Sequence, residues 1–168
     1  AQLEATNAKI EARAGRNLVF AIGSGLIFGA VFLVSLLLVK QIFALLVAII
    51  VAIALVELAA AFRIAGRRVP RVGVVLGGLV VVAGASFWGA EGMLLGLFAG
   101  SALLTAWRLI EGLVPNWETP PRTLIRDVFS GLFTLVYVAF LASFTVLLVE
   151  AENGQWWVFA LVVIVVTV

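Results

Sequence analysis

The sequence contains no cysteine and no histidine among its 168 residues. These absences exclude disulfide bonds, thiolate and imidazole metal ligands, haem ligation, and the Cys/His or Ser/His pairs of nucleophilic catalysis within this chain. Charge is also scarce, since Asp, Glu, Lys and Arg make up 12% of the residues, against about 25% in soluble domains. Any metal bound by these residues would therefore be a hard cation held by oxygen atoms. Nothing in the composition suggests a nucleic-acid-binding module.

Apolar residues make up 64% of the chain and are gathered into long runs. A membrane-spanning helix needs about 17 to 25 such residues. Five complete runs are near this length, and a sixth begins at Trp156. We therefore predict an all-α, polytopic transmembrane helix bundle with five complete spans and a truncated sixth. The complete runs are Leu18 to Val39, Ile42 to Phe62, Val72 to Trp88, Gly92 to Trp107 and Val128 to Val149.

The sixth run, Trp156 to Val168, is short for a span. At about 1.5 Å per residue it reaches only roughly 20 Å, against a hydrocarbon core of about 30 Å. The first residue is Ala1 rather than Met. Both features lead us to expect that the sequence is part of a longer protein.

The basic residues lie almost entirely on one side of the predicted membrane. Ten of them precede the first span or follow the second and fourth spans, whereas Lys40 alone lies on the other side. Because basic loops remain in the cytoplasm, we predict that residues 1–17 form a polar cytoplasmic segment and that 18–168 form the membrane region of a multi-pass protein. The ten are Lys9, Arg13, Arg16, Arg63, Arg67, Arg68, Arg71, Arg108, Arg122 and Arg126.

Glycines recur at four-residue spacing within the spans. Such rows let helix backbones approach closely in lipid, where apolar burial does not drive association. They lack the strand context of a phosphate-binding P-loop, so we interpret them as packing surfaces. The rows are Gly25 with Gly29, Gly73 with Gly77, and Gly92 with Gly96 and Gly100.

Prolines divide the segment between the fourth and fifth spans. Pro115, Pro120 and Pro121 forbid one continuous helix through it. We predict that Thr119 is the N-cap of the following helix and that Pro120 is its first residue.

Glu57 is the ionisable residue that lies deep within a span, where a charge costs at least about 2.5 to 3.5 kcal/mol. One interpretation is structural, with a hydrogen bond to another helix or a protonated carboxyl facing the bundle. The other is a role near a substrate or ion pathway. Arg63 lies about 120° round the same helix and is a poor partner, so we expect Arg16, Arg108 or Arg126 to pair with it.

Two groups of charged residues flank the spans on the basic side. Arg63, Arg67, Arg68 and Arg71 could set the topology and attract anionic headgroups, at about 1 kcal/mol per charge, or form a specific site for a lipid phosphate. Arg126 and Asp127 begin the fifth span, where a carboxylate is favoured by the positive helix end. They could bind a phosphate or form an inter-helix bridge.

Three stretches resemble the N-terminal membrane region of the phosphatidate cytidylyltransferases, or CDP-diacylglycerol synthases, particularly the actinobacterial ones. They are RAGRN before the first span, VELAAAFRIAGRRVPR around Glu57, and RDVFSGLFTLVYVAFLASFTVLL from Arg126. The closing VFALVVIVVTV is similar to the helix that precedes the catalytic motifs in that family. The resemblance runs from about Arg16 to Val168, and the diagnostic polar signature of the family is absent from it.

The resemblance implies an integral membrane enzyme in which the phosphate of phosphatidic acid attacks the α-phosphorus of CTP, giving CDP-diacylglycerol and pyrophosphate. It implies Mg²⁺ as cofactor, with ligands outside this chain, and membrane lipids and a second copy of the chain as partners. Arg16, Glu57, Arg126 and Asp127 would support the site, and none would perform the chemical step. We expect this chain to be inactive by itself. The alternative is a small transporter, channel subunit or membrane scaffold, which the single intramembrane carboxylate would suit.

Overall fold

The computed structural model describes residues 20–37, 40–113 and 120–167, and every regular element in these ranges is helical. The all-α prediction is therefore confirmed. Helices α1, α2 and α3, and the continuous stretch from α4 through α5, are each long and apolar enough to cross a membrane, whereas α6 is apolar but shorter. The helices are α1 Phe20–Leu37, α2 Lys40–Ile64, α3 Arg71–Leu113, α4 Pro121–Thr134, α5 Leu141–Glu150 and α6 Gly154–Thr167.

Helix α3 consists of two antiparallel arms. Helical geometry is interrupted at Trp88 (φ −130°, ψ 16°) and Gly89 (φ 63°, ψ −146°). The second pair of angles is accessible to glycine and very costly for other residues. One predicted apolar run ends at Trp88, and Gly89 lies three residues before the next run begins at Gly92. The sequence therefore divides α3 where the backbone reverses.

Glycine brings the two arms of α3 into backbone contact. A Cβ atom built at Gly77 would lie 2.9 Å from the carbonyl oxygen of Gly100, and one built at Gly96 would lie 2.7 Å from that of Val80. Larger residues would force the arms apart. The packing interpretation of these rows is confirmed. For Gly25 and Gly29 of α1 it stays a prediction, since no described residue lies within 4 Å of either position.

The remaining long helices pack around this hairpin. Helix α2 contacts α3, α4 and α5, and α6 packs against α5. Leu55 of α2 fits against Gly78 of α3, beside Ala139. Leu104 of the second arm fits against Gly131 of α4. Pairing a large residue with a small one in this way produces a close-packed interior.

A six-residue π-helical segment, Leu135–Phe140, joins α4 to α5. On the N-terminal side of this segment the Thr134 hydroxyl donates to the Ser130 carbonyl. On its C-terminal side the Ser143 hydroxyl donates to the Ala139 carbonyl at 2.7 Å. These buried hydroxyls are thereby satisfied within their own helix.

The start of α4 differs from the prediction by one residue. Helix α4 begins at Pro121 with Pro120 as its N-cap, one residue later than predicted, and Thr119 lies outside the described residues.

We predict that Gly100→Leu lowers the free energy of unfolding by at least about 1 to 3 kcal/mol, because the added side chain would push the arms of α3 apart. The matched substitution Gly23→Leu should not lower it by more than about 0.5 kcal/mol, since that position is open and lies outside the Gly25 and Gly29 row. Circular dichroism during SDS titration in mixed micelles measures both. Equal destabilisation by the two variants would show that the arms are not packed through glycine.

Candidate functional site

The turn between α2 and α3 has a defined backbone that follows from its sequence. The N–H of Gly66 donates to the carbonyl of Arg63, and the N–H of Arg67 donates to that of Phe62 at 2.9 Å. This is the Schellman pattern of a helix C-terminus, and Gly66 adopts the left-handed conformation it needs, with φ 73°. Pro70 then precedes the first residue of α3. The turn is therefore fixed at both ends.

Three polar residues of α4 bind this turn. Arg126 Nη2 donates to the Gly66 carbonyl at 2.8 Å, and Asp127 Oδ1 accepts the Arg68 N–H at 3.0 Å. Ser130 Oγ accepts a hydrogen bond from Arg67 Nη1 at 3.0 Å. The three contacts hold the turn against the beginning of α4.

An ion pair between Arg108 and Asp127 lies at the centre of this region. Arg108 Nη2 donates to Asp127 Oδ2 at 2.8 Å, and the two residues are 1% and 2% exposed. Glu111 lies 3.9 Å from Arg108 and accepts a hydrogen bond from the Trp107 indole at 3.0 Å. Because a buried charge is costly when unpaired, Arg108 and Asp127 each require the other. The pair connects the second arm of α3 to α4 and, through Asp127, to the α2–α3 turn.

A cavity of about 980 Å³ opens beside the ion pair. One wall comes from the α2–α3 turn and the first residues of α3, and the other comes from the end of the second arm. Its charged side chains are three arginines and one glutamate, and the remaining lining is mostly apolar. The lining residues are Arg63, Gly66, Arg68, Val69, Pro70, Arg71, Val72, Trp107 and Glu111.

The residues expected to face inward occupy different environments. Asp127 is buried and forms an inter-helix bridge, one of the two alternatives considered for it. Arg126 is exposed, although it holds Gly66. Glu57 is exposed on α2 in the described part of the chain, and Arg108 pairs with Asp127 instead of Glu57. A supporting role for Glu57 stays a prediction. Arg16 lies outside the described residues.

The predicted basic cluster is divided by the fold. Arg63, Arg68 and Arg71 line the cavity. Arg67 turns away from it, towards Ser130, and its guanidinium lies 5.7 Å from the centroid of the Phe62 ring. Sequence spacing alone could not separate Arg67 from the others, because all four lie within nine residues at one helix junction.

Sequence reasoning missed the importance of Arg108 and of its neighbours Trp107 and Glu111. A usable signal was present, since Arg108 and Asp127 lie on either side of the proline-containing segment that joins two apolar runs. Helices joined in this way are antiparallel neighbours, so opposite charges at their adjoining ends are at similar depth. That signal indicates which residues are at the same level, but not which of them face each other.

The described residues do not fit a magnesium site. They contain no group of three or more Asp or Glu side chains that could hold a metal ion. Asp127 is bonded to Arg108 and the Arg68 backbone, and Glu111 is bonded to Trp107. No step of a reaction is therefore assigned to a metal held by these residues.

Comparison with known proteins identifies the family. A model of the cytidylyltransferase family matches residues 20–168, which is most of the chain. The chain belongs to the cytidylyltransferase family. Its described membrane helices and the basic cavity are therefore features of a family member, and the predicted resemblance is confirmed.

Three mycobacterial relatives are named phosphatidate cytidylyltransferase. The proteins from Mycobacterium bovis and Mycobacterium tuberculosis H37Rv are each 32% identical over 159 residues, which cover 92% of this chain and 52% and 48% of theirs. The Mycobacterium leprae protein is 31% identical over 162 residues, covering 92% of this chain and 52% of its own. The chain thus spans about half the length of these curated relatives. No solved structure gives a significant match.

We predict that Asp127→Ala lowers the free energy of unfolding by about 3 kcal/mol, because it leaves the buried Arg108 charge with only the more distant Glu111, at 3.9 Å, as a partner. Replacing both partners, as Arg108→Met with Asp127→Leu, should cost less than Asp127→Ala alone, since no buried charge remains. SDS titration measures each variant. Glu57→Gln is the control and should have little effect, because Glu57 makes no hydrogen bond or ion pair with any residue that the structure describes. A double variant less stable than Asp127→Ala would contradict this account.

Proposed function

We propose that this chain is the membrane-embedded N-terminal part of an enzyme that transfers CMP from CTP to phosphatidic acid, giving CDP-diacylglycerol and pyrophosphate. The family match and the names of the mycobacterial relatives support the proposal. In the reaction, a phosphate oxygen of phosphatidic acid attacks the α-phosphorus of CTP, and the bond from that phosphorus to pyrophosphate breaks. The Mg²⁺ requirement expected for this chemistry would be met by ligands outside the described residues.

The proposed contribution of this chain is to shape and support the cytoplasmic mouth of the site. CTP and phosphatidic acid are both anionic, and the described cavity carries three arginines and one glutamate. The bonds from Arg126 and Asp127 to the α2–α3 turn fix the segment that carries these arginines. We assign these two residues a positioning role and none in the chemical step.

We propose five complete spans and a shorter sixth in the bacterial plasma membrane, with the N-terminus in the cytoplasm. The two arms of α3 would each cross the membrane once, which turns the four long helical stretches into five spans. The α2–α3 turn, the end of α3 and the start of α4 meet at one end of the bundle through Arg108, Arg126 and Asp127. Lys40 Nζ donates to the Glu150 carbonyl at 3.4 Å, so the first residue of α2 contacts the last residue of α5.

Association of two copies also belongs to this proposal. Helix α1 presents Gly25 and Gly29 on an open surface, and only 11% of its apolar window is buried within the chain. An uncovered small-residue row of this kind suits close contact between helices of two copies.

The proposed activity predicts label transfer in membranes that contain the protein in which this sequence occurs. With CTP labelled at the α-phosphate, phosphatidic acid and Mg²⁺, label should enter CDP-diacylglycerol, and it should stay in the aqueous phase when phosphatidic acid is omitted. We expect Arg126→Ala to lower the rate severalfold, because the turn loses its bond at Gly66, while Arg122→Ala, which removes the same charge one turn earlier, should not. Absence of phosphatidate-dependent transfer would refute the function, and equal rates in the two variants would refute the positioning role.

The proposed topology predicts which single cysteines react from outside the cell, and the absence of native cysteine makes each one unique. Glu91→Cys and Glu152→Cys should react with a membrane-impermeant maleimide in intact cells, because both lie at predicted outer ends of spans. Ala65→Cys, in the α2–α3 turn, should react only after the cells are opened. Labelling of Ala65→Cys from outside intact cells would show that the orientation is the opposite of the proposed one. If Glu91→Cys reacts neither in intact nor in opened cells, the result would argue against an exposed reversal at Gly89.

A further inference from the structure

The cavity between the α2–α3 turn and the second arm of α3 has the features of an anion site. It contains three guanidinium groups, from Arg63, Arg68 and Arg71, and one carboxylate, from Glu111. Its formal charge is therefore +2. A phosphate monoester carries about −1.5 to −2 near neutral pH, so the charge of the lining matches that group more closely than it matches the single charge of a phosphodiester.

The arginines are presented by a backbone that is already ordered. Gly66 closes the Schellman turn after Arg63, and Asp127 holds the Arg68 N–H. Arg71 is the first residue of α3, immediately after the buried Pro70. Because the backbone is fixed before a ligand arrives, less conformational entropy is lost when the anion binds.

The rest of the lining suits a ligand that arrives from the membrane interface. Val72 and Trp107 contribute apolar surface beside the arginines, and both are partly exposed, at 54% and 37%. The Trp107 side chain packs over Gly73, in the first turn of α3. A Cβ atom built at Gly73 would lie 3.2 Å from the Trp107 Cβ. Tryptophan also favours the membrane–water interface. A phosphate at the arginines would therefore have an apolar surface next to it.

We propose that this cavity binds a phosphate group, carried either by a lipid headgroup or by a soluble phosphate compound, with Arg63 and Arg71 as ligands. Arginine can bind such oxygens with two parallel N–H bonds. The inference goes beyond cytidylyl transfer, since it concerns binding and requires no turnover.

Native mass spectrometry of the chain in neutral detergent micelles tests the site, with three probes offered separately: phosphatidic acid, phosphatidylglycerol and pyrophosphate. We expect Arg63→Gln and Arg71→Gln each to weaken phosphate binding about tenfold, as loss of a charge-assisted bond does. Arg122→Gln is the matched control, because it removes one exposed arginine that does not line the cavity, and it should alter binding less than twofold. Phosphatidic acid should bind more tightly than phosphatidylglycerol.

A second variant separates loss of the site from loss of charge. Val72→Trp keeps every charge and adds a bulky ring to the lining beside Arg71, so it should weaken the arginine-dependent binding, while thermal melting confirms that the chain is folded. Arginine-dependent binding of phosphatidic acid identifies a lipid headgroup as the source, and such binding of pyrophosphate alone identifies a soluble phosphate. If Arg63→Gln and Arg71→Gln behave like Arg122→Gln with all three probes, the arginines attract anions only non-specifically and the proposal is overturned. Failure of cytidylyl transfer would leave these binding results unchanged.

Discussion

The ion pair between Arg108 and Asp127 is the contact on which the basic end of the bundle depends. Both side chains are buried, and their atoms approach to 2.8 Å. Removing either partner would leave the other charge buried without its closest counter-charge, which is energetically costly. Since Asp127 also accepts the Arg68 N–H, one carboxylate fixes the second arm of α3, the start of α4 and the α2–α3 turn relative to each other. The arginines around the cavity owe their arrangement to this junction.

The sequence was sufficient for features governed by periodicity and composition. Run lengths predicted the helices, and the two four-residue rows that contain Gly77 and Gly100 predicted packing surfaces, because small residues in apolar helices have few other uses. The sequence did not predict which charged residues pair with each other. Glu57 was expected to find an arginine, yet it is exposed while Arg108 is paired with Asp127. Which face a helix turns towards its neighbours depends on packing over its whole length, and a single charged residue does not reveal it.

Family membership and the described geometry answer separate questions. Similarity over 92% of the chain to proteins named phosphatidate cytidylyltransferase identifies the family. The described residues show how one end of a hydrophobic bundle can hold a cluster of positive charge in place. Arg67 illustrates the distinction, because it belongs to the same short motif as Arg68 but is committed to Ser130 and Phe62. One short motif therefore contains a residue that supports the turn and another that faces the cavity.

The backbone reversal at Gly89 has a consequence for how the protein is made. The arms of α3 are joined through Trp88 and Gly89, with no intervening hydrophilic loop, and their glycine faces fit backbone to backbone. The contacts that pair the two arms are therefore local in the sequence, within Arg71–Leu113. The contact between Gly77 and Gly100 needs no residue of α4, so the arms contain what they need to pair before Asp127 is synthesised.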